Sequence, residues 1–279
     1  SRPAPAGLAD VAERVKPGIG SDHLRRWRRA RPATAPDVAA RLGLSGVAAF
    51  DVSAVCTGFV YGLATAAGFI AAGLAERVLL IAAEAFSTLL DPDDPTTRPI
   101  FGDGAGAVVL RRGRAGEPGA IGPLVLGSDG DRSELITVRA GGSRLPLREP
   151  APDDGSQYFR MRGREVFRQS VERMSAAATE ALAAAGWQLG DVDRVITHQA
   201  NARVSAALAT RLGLHRDAAT TNIAEVGNTA AASIPVLLAQ AAANGTLEPG
   251  HRVLLAAFGG GLTWGATTLT WPELDIHDA

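Results

Sequence analysis

Arg77-Val-Leu-Leu-Ile-Ala-Ala83 recurs as Arg252-Val-Leu-Leu-Ala-Ala257. Each copy reads as a strand, and each follows a long Ala/Gly-rich run that reads as a buried helix. One helix begins just after Cys56 and extends to about Ala75. The other begins just after Asn228 and extends to Ala243. Two related halves, each alternating strand and helix, imply an α/β molecule in which two sheets are sandwiched with helices. Alternation predicts mostly parallel strands. A pseudo-twofold axis between the halves would bring the two helix N-termini together, with Cys56 facing Asn228 across a common site.

The totals are compatible with this. The chain has 279 residues, 46% hydrophobic and 20% charged, enough to bury a full core. Its net charge of −1 gives no general attraction to nucleic acid or a membrane surface. A single cysteine excludes a disulfide framework and a Cys-cluster metal site, and fits a reducing cytoplasm. Val52 to Ala75 carries no charge and is long enough for a membrane span. Its glycines and hydroxyls, the bracketing Asp51 and Glu76-Arg77, and the lack of an aromatic belt favour a helix buried in protein. The polar, Pro-rich N-terminus does not read as a signal peptide.

Along the chain, Leu8 to Val15 reads as a short helix. Arg25-Arg26-Trp27-Arg28-Arg29-Ala30-Arg31 reads as a solvated basic segment, or else as a phosphate-binding patch. Ala35 to Leu42 predicts a helix, with Pro36 in its first turn and Gly43 at its stop. Val47 to Val52 predicts a strand leading into Cys56. Phe101-Gly-Asp-Gly-Ala-Gly-Ala-Val-Val-Leu110 is a Gly-rich turn feeding a strand. Its glycines fall at every second position, so it is not a dinucleotide fingerprint and reads as close backbone packing. Residues 111–155 look loop-rich, with one strand at Ile121 to Leu126. Arg162 to Ala185 and Ala202 to Leu212 predict helices. Arg194 to Thr197, Gly250 to Phe258 and Ala266 to Trp271 predict strands.

The candidate chemistry gathers at strand ends and helix starts, where side chains and free N–H groups meet in α/β sheets. Cys56 opens a helix, whose positive end should lower its pKa and make it a nucleophile. Of five histidines, only His198 directly follows an apolar strand. His23, His215, His251 and His277 have polar or terminal settings. Cys with His suggests nucleophilic catalysis on an acyl group. Asn228 is neither acid nor base, but it can donate to a developing oxyanion, as a neutral His198 can. The Cys56 N–H and one from Gly259–Gly261 can form a second oxyanion hole. No metal ligand set is present in this reading.

Five motifs, in order and with matching spacing, carry a resemblance. They are Asp51-Val-Ser-Ala-Val-Cys56-Thr-Gly-Phe, Phe101-Gly-Asp-Gly-Ala-Gly-Ala, His198-Gln-Ala-Asn-Ala-Arg203, Gly227-Asn-Thr-Ala-Ala-Ala-Ser-Ile-Pro235 and Phe258-Gly-Gly-Gly-Leu-Thr-Trp-Gly265. Together they resemble the β-ketoacyl-acyl-carrier-protein synthase III family, over about Pro32 to the C-terminus. The resemblance implies a thiolase-like αβαβα sandwich of two pseudo-equivalent halves, residues 1–117 with the nucleophile and 118–279 with His198 and Asn228. It implies a Cys56–His198–Asn228 site that takes an acyl group from acyl-CoA and condenses it with malonyl-acyl-carrier protein, with loss of CO₂. It makes Gly260 the partner of Cys56 in the oxyanion hole and places Asn201 near the pantetheine. Arg203 would face the carrier protein, and Met161, Gly163 and Phe167 would lie at the primer pocket. A homodimer and no resident cofactor are also implied, with CoA and phosphopantetheine serving as substrate carriers.

The chain departs from the family pattern upstream of Pro32, where the opening strands and the Trp/Arg pattern that grips the CoA nucleotide are not found. The first half is therefore expected to be incomplete at its N-terminal side. In the Asp91 to Pro99 loop, Pro95 stands where the family places an Arg, with Arg98 three residues on. These departures suggest a priming enzyme of a specialised polyketide or related pathway. Two other readings stand beside it: a thiolase-fold acyltransferase to an oxygen or nitrogen nucleophile without decarboxylation, and an inactive partner of a complete homologue.

Overall fold

The computed structural model describes residues 32–147, 154–215 and 218–274. The Leu8 to Val15 helix and the Arg25 to Arg31 segment with Trp27 lie outside the described residues. The first half contributes α1 (Ala35–Arg41), a 3-10 turn (Val55–Thr57), α2 (Gly58–Ala71), β1 (Arg77–Glu84) and β2 (Gly104–Arg111). Then come β3 (Val125–Ser128), β4 (Ile136–Val138), β5 (Phe159–Met161), α3 (Gly163–Ala185), β6 (Arg194–Thr197), α4 (Ala202–Leu212) and β7 (Ala219–Thr220). A 3-10 turn (Ala230–Ala232), α5 (Ser233–Ala243), β8 (Arg252–Gly259) and β9 (Thr263–Thr270) complete the second half.

The strand order β3-β9-β8-β6-β7 makes β8 the centre of a five-stranded sheet. Its side chains alternate between two cores, as the two-residue period requires. Val253, Leu255 and Ala257 pack with Phe59, Val60 and Leu63 of α2 and with Ile234, Leu237 and Leu238 of α5. Leu254, Ala256 and Phe258 pack with Met174, Ala178 and Leu182 of α3 and with Val204 and Leu208 of α4. A strand covered on both faces has no polar side, which explains its unbroken apolar run. Each of these Leu or Phe side chains contributes about 2 kcal/mol when fully buried. The layers follow: β1–β2, then α2 with α5, then the five-stranded sheet, then α3 with α4. No described helix is long and apolar enough to cross a membrane.

Three expectations change. The strands are not mostly parallel: β6 pairs in parallel with β7 and β8, but β1–β2, β3–β9, β4–β5 and β8–β9 are antiparallel. A link as short as that between β8 and β9 can only join antiparallel neighbours. Val47 to Val52 is not a strand, and Val47 and Phe50 are about half exposed. An extended segment becomes a strand only with a partner, and among the described residues β1 pairs only with β2. The loop-rich 111–155 region holds two short strands, β3 and β4, the second pairing with β5. The single predicted strand at Ile121 to Leu126 shifts to Val125–Ser128, with Ile121 bridged to Leu269.

The Gly-rich motif packs as expected. A Cβ on Gly102 would stand 2.3 Å from the Val226 carbonyl oxygen, and one on Gly106 would stand 2.8 Å from Pro235. The alternate glycines let β2 and its leading turn lie directly on the 226–235 segment.

Candidate active site

Cys56 sits in the 3-10 turn ahead of α2, and it is the one free cysteine. Val55 before it is held at φ +46°, and Ala230 in the second half at φ +47°. A β-branched residue in that region is strained, and strain of this kind marks functional turns. Val55 and Ala230 are 175 residues apart, the same offset as Arg77 and Arg252. The counterpart of Cys56 is thus Ala231, and Asn228 lies three residues before it. Asn228 therefore does not stand at the position equivalent to Cys56, although both lie against Ala230.

Ala230 is the common neighbour of the three candidates. It packs in one apolar cluster with Cys56. Its N–H donates to Oδ1 of Asn228 at 2.9 Å. Its carbonyl accepts from the Ser233 hydroxyl at 2.8 Å, and that hydroxyl lies 2.8 Å from Nδ1 of His198. His198 is fixed at the end of β6 by its N–H, which donates to the Ala256 carbonyl of β8. Gln199, fully buried, braces the same bend by donating to the Thr197 carbonyl and accepting from Thr221. Asn228 is fixed by the Gly-rich turn: its N–H donates to the Ile100 carbonyl at 2.7 Å, and its carbonyl accepts from Gly102. A backbone N–H can only donate, so Oδ1 faces Ala230 and the amide protons face Ala200 and the site.

The electrostatics reverse the expectation for Cys56. Burial pushes the thiol up to about 12, and the Glu84 carboxylate adds to the rise; the backbone hydrogen bond opposes both less strongly. Desolvation outweighs the helix end because the thiolate would have no water. Cys56 therefore rests as a thiol. Burial also holds His198 down to about 4, with hydrogen bonding to the Ala230 carbonyl acting the other way. The Ser233 hydroxyl gives its one proton to the Ala230 carbonyl and so can only accept from Nδ1, which places the neutral ring's proton there and leaves the Nε2 lone pair free. A resting ring of this tautomer accepts a proton at Nε2 and can then donate it to a developing oxyanion.

This has a stability consequence. The unfolded ring binds a proton near pH 6.5 and the folded ring only near 4. Between those values the unfolded state holds more protons, so stability falls as the pH drops through this window, by roughly 3 kcal/mol in total. Urea unfolding at neutral pH and near pH 4.5 should show a smaller acid loss in His198→Asn than in the native chain. Equal losses would remove His198 as the cause.

The remaining candidates separate. Gly259, not Gly260, is pressed on the nucleophile: a Cβ there would stand 2.9 Å from Cys56 Cβ and 3.1 Å from its nitrogen. Gly260 packs on Ile136, one residue further round the same turn. Met161 packs on the Cys56 cluster. Gly163 and Phe167 are exposed on the first turns of α3. Asn201 caps α4, its Oδ1 accepting from Val204 N–H, and Arg203 is exposed two residues on. Arg98 turns back on its own loop to donate to the Pro92 carbonyl.

Sequence reasoning missed the aromatic cluster that packs on Cys56. Phe86 and Phe101 stack at 4.3 Å, and Phe159 meets both edge-on at 5.1 and 5.0 Å, with Leu90 and Cys56 in the same cluster. These residues come from three separate elements, so no sequence spacing marks them. Beside Met161 opens a cleft of about 450 Å³ whose lining includes Thr97, Arg139, Arg160 and Arg162.

Comparison with known proteins gives a consistent result. Residues 50–130 match the family model for 3-oxoacyl-[acyl-carrier-protein (ACP)] synthase III, and residues 182–271 match the model for its C-terminal part. The chain is 61% identical over 245 residues to a β-ketoacyl-[acyl-carrier-protein] synthase III of Streptomyces coelicolor, covering 88% of this chain and 73% of the relative. The crystal structure of 3-oxoacyl-(acyl carrier protein) synthase III from Pseudomonas aeruginosa PAO1 superposes with a TM-score of 0.82 at 48% identity, over 89% of this chain and 74% of that one. The priming β-ketosynthase of the R1128 polyketide biosynthetic pathway gives 0.78 at 32%, over 88% and 72%.

Proposed function

The chain belongs to the 3-oxoacyl-[acyl-carrier-protein] synthase III family, and on that premise we propose that it condenses an acyl group from acyl-CoA with malonyl-acyl-carrier protein. The observation that supports these residue roles is the common seating of Cys56, His198 and Asn228 on the Ala230 turn.

In the first step the Cys56 sulfur attacks the acyl-CoA carbonyl while its proton passes to Nε2 of His198. The carbonyl oxygen takes the charge between the N–H groups of Cys56 and Gly260. The C–S bond to CoA then breaks, and the CoA thiolate leaves to solvent, where the buffer supplies its proton, so that the proton on His198 stays in the site. In the second step the malonyl carboxylate leaves as CO₂, and its electron pair forms an enolate. The Asn228 amide and the protonated His198 donate to the enolate oxygen. The enolate carbon bonds to the acyl carbonyl, the C–S bond to Cys56 breaks, and the thiolate regains its proton from His198. No resident cofactor enters this scheme.

The three phenylalanines pack in the same apolar cluster as Cys56, which suits an apolar primer chain. Arg139 and Arg162, in the cleft beside Met161, offer guanidinium groups to the phosphates of CoA. Exposed Arg203 is available to an acidic carrier protein. We include a homodimer and a cytoplasmic setting in this reading. The test is intact-protein mass spectrometry after incubation with a panel of acyl-CoAs, followed by labelled malonyl-carrier protein. The native chain should gain one acyl group and then release labelled CO₂. Acylation without CO₂ release would replace condensation by simple acyl transfer.

A further inference from the structure

Two buried or half-buried hydroxyls beside the nucleophile take no part in the steps above. Thr57 follows Cys56 and is fully buried. Its Oγ1 lies 2.6 Å from the Ala54 carbonyl oxygen and 2.7 Å from Oγ1 of Thr263. Thr263 opens β9, on the far side of the glycine turn, and its Oγ1 lies 3.1 Å from the Gly260 carbonyl oxygen.

A hydroxyl has one proton, and a carbonyl can only accept. Two hydroxyl oxygens 2.7 Å apart need a proton between them, so the chain of bonds runs either from Thr263 through Thr57 to Ala54, or from Thr57 through Thr263 to Gly260. The shorter contacts, 2.6 and 2.7 Å, favour the first direction. In both directions the hydroxyl–hydroxyl bond is kept. It ties the turn that presents the Cys56 N–H to the turn that presents the Gly260 N–H, residues 206 positions apart in sequence.

We propose that Thr57 and Thr263 form a positioning clamp that sets the separation of the two oxyanion donors. The inference rests on the condensing-enzyme reading, and it deepens that reading by naming what aligns the hole. Close packing supplies the compression: Gly259 touches Cys56 so closely that a Cβ has no room. The clamp supplies direction, which packing alone lacks. Threonine suits the role because its branched Cβ restricts χ1 and so aims the hydroxyl.

The test uses Thr57→Val, which keeps the shape and removes the hydroxyl, and Thr57→Ser, which keeps the hydroxyl. Thr263→Val and Thr263→Ser form the second pair, at a less buried position. The readout is the rate of acyl transfer from acyl-CoA to Cys56. Removing an oxyanion donor outright costs about a hundredfold or more, so misaligning one should cost about tenfold. Each Val variant should load roughly tenfold slower at saturating acyl-CoA with KM nearly unchanged, and each Ser variant should recover most of the rate. The double Val variant should be no slower than either single one, because each breaks the same bond. Loading at the native rate, or single effects that multiply in the double variant, would overturn the clamp while leaving the site reading intact. A native chain that does not load Cys56 would overturn both. If Thr57→Val does not fold, the Thr263 pair decides the question by the same criteria.

Discussion

Cys56→Ala gains no mass from acyl-CoA, whereas the native chain gains one acyl group. The loss is complete rather than partial because Cys56 is the one cysteine in the chain, so no second thiol can substitute. The variant should still fold. In its apolar cluster with Phe86, Leu90, Phe159 and Ala230, the side chain packs as a small hydrophobe, and alanine removes one atom. The resting chemistry sharpens the expectation. With its pKa pushed up to about 12, the native thiol carries almost no thiolate at neutral pH. Reaction with a simple alkylating agent should therefore be slow, while acyl-CoA, bound against His198 and the oxyanion donors, loads readily. Slow alkylation with fast acylation separates an assisted nucleophile from a merely reactive one. If Cys56→Ala still gains an acyl group, an oxygen or nitrogen atom is the nucleophile and the assignment fails.

The sequence made some of this legible for identifiable reasons. β8 faces a core on each side, so its apolar run needs no periodicity analysis, and its echo in β1 exposed the repeat. α3 and α4 end at Gly186 and Gly213, both at φ +70°, where only glycine is unstrained, so their stops were readable. His198 and Asn228 stood out as polar residues beside apolar runs. Other features depend on long-range neighbours. Val47 to Val52 has strand composition but no described partner. β4 and β5 are three residues each and exist only as a pair. The Cys56 pKa was misjudged because burial is a property of the assembled cluster, while the helix end is visible locally. Ser233 was overlooked within its own motif, because its value lies in the distance to His198 across 35 residues. The Phe86–Phe101–Phe159 cluster is likewise a product of folding.

The condensation step should fail selectively in Asn228→Ala and Asn228→Asp. Release of CO₂ from malonyl-carrier protein should fall by ~10² to 10³, the range for losing one oxyanion donor. Loading of Cys56 should stay within about twofold of native, because acylation draws on the Cys56 and Gly260 donors, whose oxyanion hole is separate. The two variants differ usefully. Alanine also removes Oδ1, which holds the Ala230 N–H, so the strained Ala230 turn can relax and disturb Ser233 and His198. Aspartate keeps an oxygen for that N–H at 2.9 Å in the native arrangement, but offers no amide proton and places a negative charge beside the developing enolate. If the amide proton is what matters, aspartate is at least as damaging to CO₂ release as alanine while less disruptive to the melting temperature. If the seating of Ala230 is what matters, aspartate restores CO₂ release towards native. The second result would demote Asn228 from a donor that touches substrate to a positioning residue, leaving protonated His198 as the sole side-chain partner of the enolate.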